Sequence, residues 1–219
     1  MKITKIIAAL AISMVIATSC TKELETENLS RTTFFADLTM AGAPVVFQPI
    51  GEAFNDPGVT ATENGDEIPV VVSGSVDVNT PGFYNISYSA VNSDGFASSL
   101  SRTVIVYENG DVVGIYDGTR VGVSGGLILL STNPGGGYFI SDLLGGYYEF
   151  GRSYGNDYAA PSTIQISGNT VTAGVGNCAF GPVELTNGEI SDDHQTMTWK
   201  ATLVDYAFGF DVELTKITN

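Results

Sequence analysis

Positive charge is what this 219-residue chain lacks most: nine Lys and Arg stand against 24 Asp and Glu, a formal net charge of −15. Such a chain is repelled by phosphate backbones, and its few cations are scattered, so nucleic acid is excluded as a partner. Electrostatic attachment to anionic lipid headgroups is excluded for the same reason. Histidine occurs once, at His194, and the only cysteines are Cys20 and Cys178. No His/Cys set has zinc-ligand spacing, so neither metal nor cofactor is expected. Long apolar runs are also missing. The longest, Ile6 to Ala17, falls short of the ~20 residues that span a bilayer. Helix-forming stretches are absent while glycine is abundant, at 26 residues, and the chain reads as all-β.

Lys2 and Lys5, the apolar run, the small residues Thr18 and Ser19 and then Cys20 follow the order of a bacterial export signal. A cysteine directly after small residues resembles the lipobox of bacterial lipoproteins, although Ala17 stands where leucine is more usual. The resemblance implies a signal peptide of residues 1–19 and an acylated Cys20 as first residue of the mature chain. Removing residues 1–19 leaves seven basic residues against 24 acidic ones, a net −17. Membrane attachment would then rest on the acyl chains, at ~0.8 kcal/mol per buried methylene. Cys178, left alone, cannot close an intramolecular disulfide. Residues 20–33 are polar without apolar periodicity and read as a flexible tether. Lys22-Glu23 and Glu25 resemble the export tag of Bacteroidetes surface lipoproteins, which implies the outer membrane, lipid-anchored and facing the exterior.

Residues 34–107 form the first folded unit. Short runs at Pro44–Phe47, Ile68–Val72, Tyr84–Ala90 and Thr103–Tyr107 are separated by turn sequences such as Asp56-Pro57-Gly58 and Thr80-Pro81-Gly82. Tyr84, Ile86, Tyr88 and Ala90 alternate with polar residues, so one face of that strand is buried. Phe54-Asn55-Asp56-Pro57-Gly58-Val59, then Val76-Asp77 with Thr80-Pro81-Gly82-Phe83-Tyr84, then Arg102-Thr103-Val104 resemble a bacterial immunoglobulin-like repeat. The resemblance implies a seven-stranded β-sandwich acting as a spacer or adhesion module.

Residues 108–219 are richer in glycine and aromatics. Candidate strands are Leu127–Thr132, Tyr138–Ser141, Tyr147–Phe150, Thr163–Ser167, Thr170–Ala173, Val183–Thr186, Met197–Val204 and Phe210–Thr215. Ser167-Gly168-Asn169-Thr170 and Thr186-Asn187-Gly188-Glu189 predict two-residue hairpins. The last two strands predict a terminal hairpin turning at Asp205–Phe208. The fold expected is an antiparallel meander, closed as a β-barrel or left as a half-open sandwich. The run from Gly137 to Gly155 resembles the C-terminal domain that follows the immunoglobulin-like repeat in Bacteroidetes surface lipoproteins, a family without an assigned activity.

Seven aromatic rings lie between 138 and 158, interleaved with Asp142, Arg152, Asn156 and Asp157. Rings with nearby amides and charges suit sugar binding, the ring covering the apolar sugar face and polar groups fixing hydroxyls. Alternate rings would equally fill a barrel core, and both readings stay open. Tyr147, Tyr148, Arg152, Tyr154, Asp157 and Tyr158 are the candidate ligand-binding residues. Asp142 and Glu149 are the acids a glycan-cleaving enzyme would need, but acidic β-proteins offer such pairs freely. Asp192-Asp193-His194 reads as a polar turn, Asn64-Gly65-Asp66-Glu67 lacks the calcium-loop pattern, and no nucleophile elbow is present. The expected function is a non-catalytic, lipid-anchored protein binding a glycan or partner as an accessory of an outer-membrane nutrient-uptake system. A purely structural spacer or adhesin and a glycan-active enzyme are the alternatives.

Overall fold

The computed structural model describes residues 32–120 and 122–217; the expected signal peptide, Cys20 and the expected tether up to residue 31 lie outside the described residues. Seven strands build the first unit: β1 (Asp37–Met40), β2 (Val45–Pro49), β3 (Val59–Glu63), β4 (Asp66–Glu67), β5 (Val71–Ser73), β6 (Gly82–Val91) and β7 (Ala97–Tyr107). They form a three-stranded sheet β1-β3-β4 facing a four-stranded sheet β2-β7-β6-β5. Ile86, Tyr88 and Ala90 point inward on β6 as their alternation predicts, with Val104 of β7 beside them. Asn64 and Gly65, both at positive φ, make the β3–β4 turn, so this stretch is hairpin chemistry. Asp56 and Arg102, from distant parts of the immunoglobulin-like motif, meet with Arg102 buried and Asp56 reaching solvent. Arg102 is 0% exposed; its guanidinium donates to the Asp56 carboxylate and to the carbonyls of Ala41 and Ala43, and Tyr88 donates to Asp56 at 2.7 Å. A buried cation needs such complete pairing, which explains both positions.

The second unit contains β8 (Gly114–Arg120), β9 (Val123–Thr132), β10 (Tyr138–Ile140), β11 (Ser162–Ser167), β12 (Thr170–Ala173), β13 (Gly176–Cys178), β14 (Gly181–Ile190), β15 (Thr196–Leu203) and β16 (Phe208–Lys216). Sequential antiparallel pairing runs from β8 to β12, then through β14 and β15 to β16, and β16 returns to β8. The meander is therefore a closed eight-stranded barrel. The short β13 lies against the start of β14, outside the closing pair β12–β14.

Two expectations are corrected here. Asn187-Gly188 is no hairpin turn; it is a bulge within β14, Asn187 at φ 55°, where the register to β15 shifts. A Cβ on Gly188 would stand 2.2 Å from the Val171 carbonyl, so glycine lets β12 approach and close the barrel. Tyr147–Phe150 is no strand either. Gly145 and Gly146, at φ 67° and 70°, turn the chain left-handed, and Tyr147–Gly151 forms a π-helical turn.

The barrel core holds Tyr116, Ile128, Leu130, Ile164, Val171, Met197, Trp199, Val212 and Leu214 among others. A smaller core joins the units: the cross-strand pair Phe83/Ile105 packs against the cross-strand pair Ile115/Leu129 on the barrel exterior.

Candidate functional site

Between β10 and β11 the chain leaves the sheet for residues 141–161 and folds into one end of the barrel. Leu143, Leu144 and Ala160 are fully buried in the core, and Trp199 donates its indole N–H to the Leu143 carbonyl at 2.8 Å. This plug lies against β8 and β9 with backbone touching backbone. A Cβ on Gly125 would stand 1.9 Å from the Gly145 carbonyl oxygen, and one on Gly146 would stand 2.6 Å from the Gly126 nitrogen. Only glycine permits that approach.

Asp142 pins the plug. Its carboxylate, 0% exposed, accepts backbone N–H groups from Leu144, Gly146 and Ala160, each at 2.8 Å. Burial pushes its pKa up, to about 6, against the pull of the three amides. The carboxylate has no exposed oxygen with which to touch a ligand. Glu149 is half-buried on the π-turn, and burial together with the charge of Asp142 raises it to about 7.

Above the plug the aromatic side chains gather. Tyr147 and Tyr148 meet edge to face at 4.9 Å, Tyr148 stacks on Tyr154 at 6.1 Å, and Tyr154 meets Tyr158 at 5.1 Å. Phe180 joins Tyr148 and Tyr158 at 4.9 and 4.8 Å and leads on to Tyr206, while Phe210 touches Tyr147 and Tyr148. Arg120 lies over the rings of Tyr147, Phe208 and Phe210, and Arg152 lies 6.0 Å from the centre of Tyr154. Tyr147 is buried at 9% exposure and serves as floor; Tyr148 and Tyr158 are half-buried; Tyr154 and Tyr206 are open at 48% and 63%. No hydroxyl of Tyr148, Tyr154, Tyr158 or Tyr206 donates to a protein acceptor among the described residues, whereas those of Tyr88 and Tyr116 do. Ring faces and unspent donors thus share one surface.

Five of the six residues expected from the sequence come together here: Tyr147, Tyr148, Arg152, Tyr154 and Tyr158. Asp157 does not join them. It lines a separate cleft of about 490 Å³ with Phe83 of the first unit and with Phe139, Asn156 and Asn177. Arg120, Phe180, Tyr206, Phe208 and Phe210 are the members that sequence reasoning missed; Phe210 carried only a strand signal, and Tyr206 and Phe208 lay in the predicted turn. At the opposite end, Asp192-Asp193-His194 forms the expected turn, with His194 Nδ1 2.6 Å from Asp111. No group of three His, Cys, Asp or Glu side chains that could hold a metal occurs among the described residues. Cys178 is half-buried beside the Gly181 carbonyl, and burial raises its pKa.

A bacterial surface protein immunoglobulin-like domain model matches residues 38–106, and a BT2262-like C-terminal domain model matches residues 108–216. The crystal structure of the lipoprotein BT2262 from Bacteroides thetaiotaomicron superposes with a TM-score of 0.68 at 32% identity, covering 83% of this chain and 100% of that one. The chain belongs to the BT2262 family. Both halves of a BT2262-family chain, sandwich and barrel, are therefore present in order. Two Clostridium perfringens ZmpB structures, one with CBM51-2 in complex with GlcNAc, align at 14% and 12% identity with TM-scores of 0.29 and 0.28, covering 82% of this chain and 43% and 21% of theirs. Likeness of that degree carries no argument about fold or ligand. None of the curated proteins matches the chain.

Proposed function

We propose that this BT2262-family chain is a non-catalytic, lipid-anchored protein of the outer membrane, facing the exterior, that binds a glycan at the barrel mouth as an accessory to nutrient uptake. One observation carries the reading: a contiguous surface of exposed and half-buried tyrosine rings whose hydroxyls donate to no protein acceptor among the described residues. A sugar ring offers an apolar face to such rings and hydroxyls to such donors. Cys20, the tether and the immunoglobulin-like unit support the anchored placement, as does the lipoprotein nature of the B. thetaiotaomicron relative. The burial of Asp142 supports a non-catalytic role, because a glycosidase needs two carboxylates flanking a reachable bond.

The test is retention on a broad glycan array by the mature chain and by Tyr154→Ala. A retained glycan whose signal the variant loses is the expected result. Absence of any retained glycan, together with a co-purifying outer-membrane protein lost in the same variant, would replace this reading with a partner-binding one.

A further inference from the structure

The barrel mouth also concentrates positive charge that has no acidic partner among the described residues. Of the three arginines among the described residues, Arg102 is spent on Asp56 inside the sandwich. Arg120 and Arg152 both stand at the mouth, and neither has a carboxylate within ion-pair distance among the described residues. In a mature chain of net charge −17, pairing would be the default, so two arginines without acid partners on one surface are an asymmetry that calls for an anion. The two act on a common point. Tyr148 packs against Tyr147, which lies under Arg120, and against Tyr154, which lies under Arg152, so the two guanidiniums flank its ring; burial raises the pKa of the Tyr148 hydroxyl and both charges act against that rise.

We propose that the barrel mouth recognises an acidic glycan, its carboxylate or sulfate ester held by Arg152 and Arg120 near the Tyr148 hydroxyl while the adjoining sugar face rests on Tyr154 and Tyr158. This rests on the glycan reading above and names its class. A guanidinium presents parallel N–H donors that match a carboxylate or sulfate oxygen pair, a geometry that the point charge of lysine lacks. Arg120, with its Cζ 5.0, 5.2 and 4.6 Å from the ring centres of Tyr147, Phe208 and Phe210, is held in place before any ligand arrives. Little side-chain freedom is then lost on binding. Arg152 is exposed over Tyr154 and closes on the ligand from the solvent side.

The experiment titrates the mature chain against a panel of acidic glycans, each paired with a neutral form. Uronic-acid polymers are paired with their methyl esters, and sulfated polymers with their desulfated forms. At least one acidic member binds roughly tenfold or more tighter than its neutral partner, and which pair responds identifies carboxylate or sulfate. Arg152→Gln, at an exposed position, lowers that affinity roughly 10- to 100-fold without altering the fold. Arg152→Lys recovers part of it, and raising salt from about 50 to about 500 mM weakens parental binding. Equal affinity for acidic and neutral partners, or parental affinity in Arg152→Gln, overturns the acidic class while leaving the glycan reading in place. Preference for an acidic polypeptide over every glycan overturns both.

Discussion

Asp142 shows how one side chain fixes a whole segment. Its carboxylate ties both ends of the plug, residues 144 and 146 on one side and 160 on the other, through three buried amide hydrogen bonds. Asp142→Ala leaves three buried donors unsatisfied, at ~1–3 kcal/mol each, so urea unfolding should show a loss of at least about 3 kcal/mol. A loss under about 1 kcal/mol would contradict the pinning role. Glu149 makes a separate prediction. Its folded pKa of about 7 lies above the ordinary 4.5, so between those values the folded chain binds more protons than the unfolded one. The contribution of Glu149 is then fully present below about 4.5 and is lost as pH rises through 7. Asp142 adds a decline of the same sign that ends near 6. Glu149→Gln should therefore flatten the profile between about 6 and 7 and raise the unfolding midpoint at pH 8. A variant whose profile matches the parent's would show that another group governs this window.

At the scale of elements, the plug depends on glycine wherever it crosses β8 and β9. Gly125→Ala would set a methyl 1.9 Å from the Gly145 carbonyl oxygen and 2.4 Å from that of Gly118, both backbone atoms. The plug must shift, at a cost of roughly 1–3 kcal/mol. Trp199 is the only tryptophan and is hydrogen-bonded to the plug, so its fluorescence should move to the red in this variant. Unchanged emission would mean that the plug does not need this contact. Strands with one solvated face were legible in the sequence. β6 and the β15–β16 hairpin alternate, and the Ser167–Thr170 turn lies where Gly168, at φ 57°, places it. β8 was not legible, because Ile115 faces the inter-unit core and Tyr116 the barrel core, which erases the alternation. Asn187-Gly188 carries a hairpin signature, yet both strands flanking it are one strand. The choice between turn and bulge was made by the approach of β12, a partner that local sequence does not encode.

For the molecule as a whole, Ile105, Ile115 and Leu129 are at most 1% exposed only because sandwich and barrel pack together. Burying a charge there is costly, so Ile115→Asp should split a single calorimetric unfolding transition into two. One transition persisting in the variant would mean the joint contributes nothing to cooperativity. The candidate site was half legible for a related reason. The rings of residues 147–158 are clustered in sequence, so composition alone marked them. Arg120, Phe180, Tyr206, Phe208 and Phe210 reach the mouth because closure of the barrel gathers the ends of β8, β13, β15 and β16. Asp157, though adjacent to Tyr158 in the chain, turns toward the inter-unit cleft. Neighbours in sequence were separated, and strangers were joined, by topology.

The claim at the centre is that the open tyrosine rings of the mouth hold a glycan. Calorimetric titration of the mature chain and of Tyr154→Ala against a glycan retained on the array tests it most directly. Loss of roughly 60 Å² of ring contact at ~25 cal/mol per Å² is about 1.5 kcal/mol, or tenfold. A drop in affinity of that size, with an unchanged unfolding midpoint, is the predicted result. Equal affinity in parent and variant would move the binding site away from the barrel mouth and contradict the account.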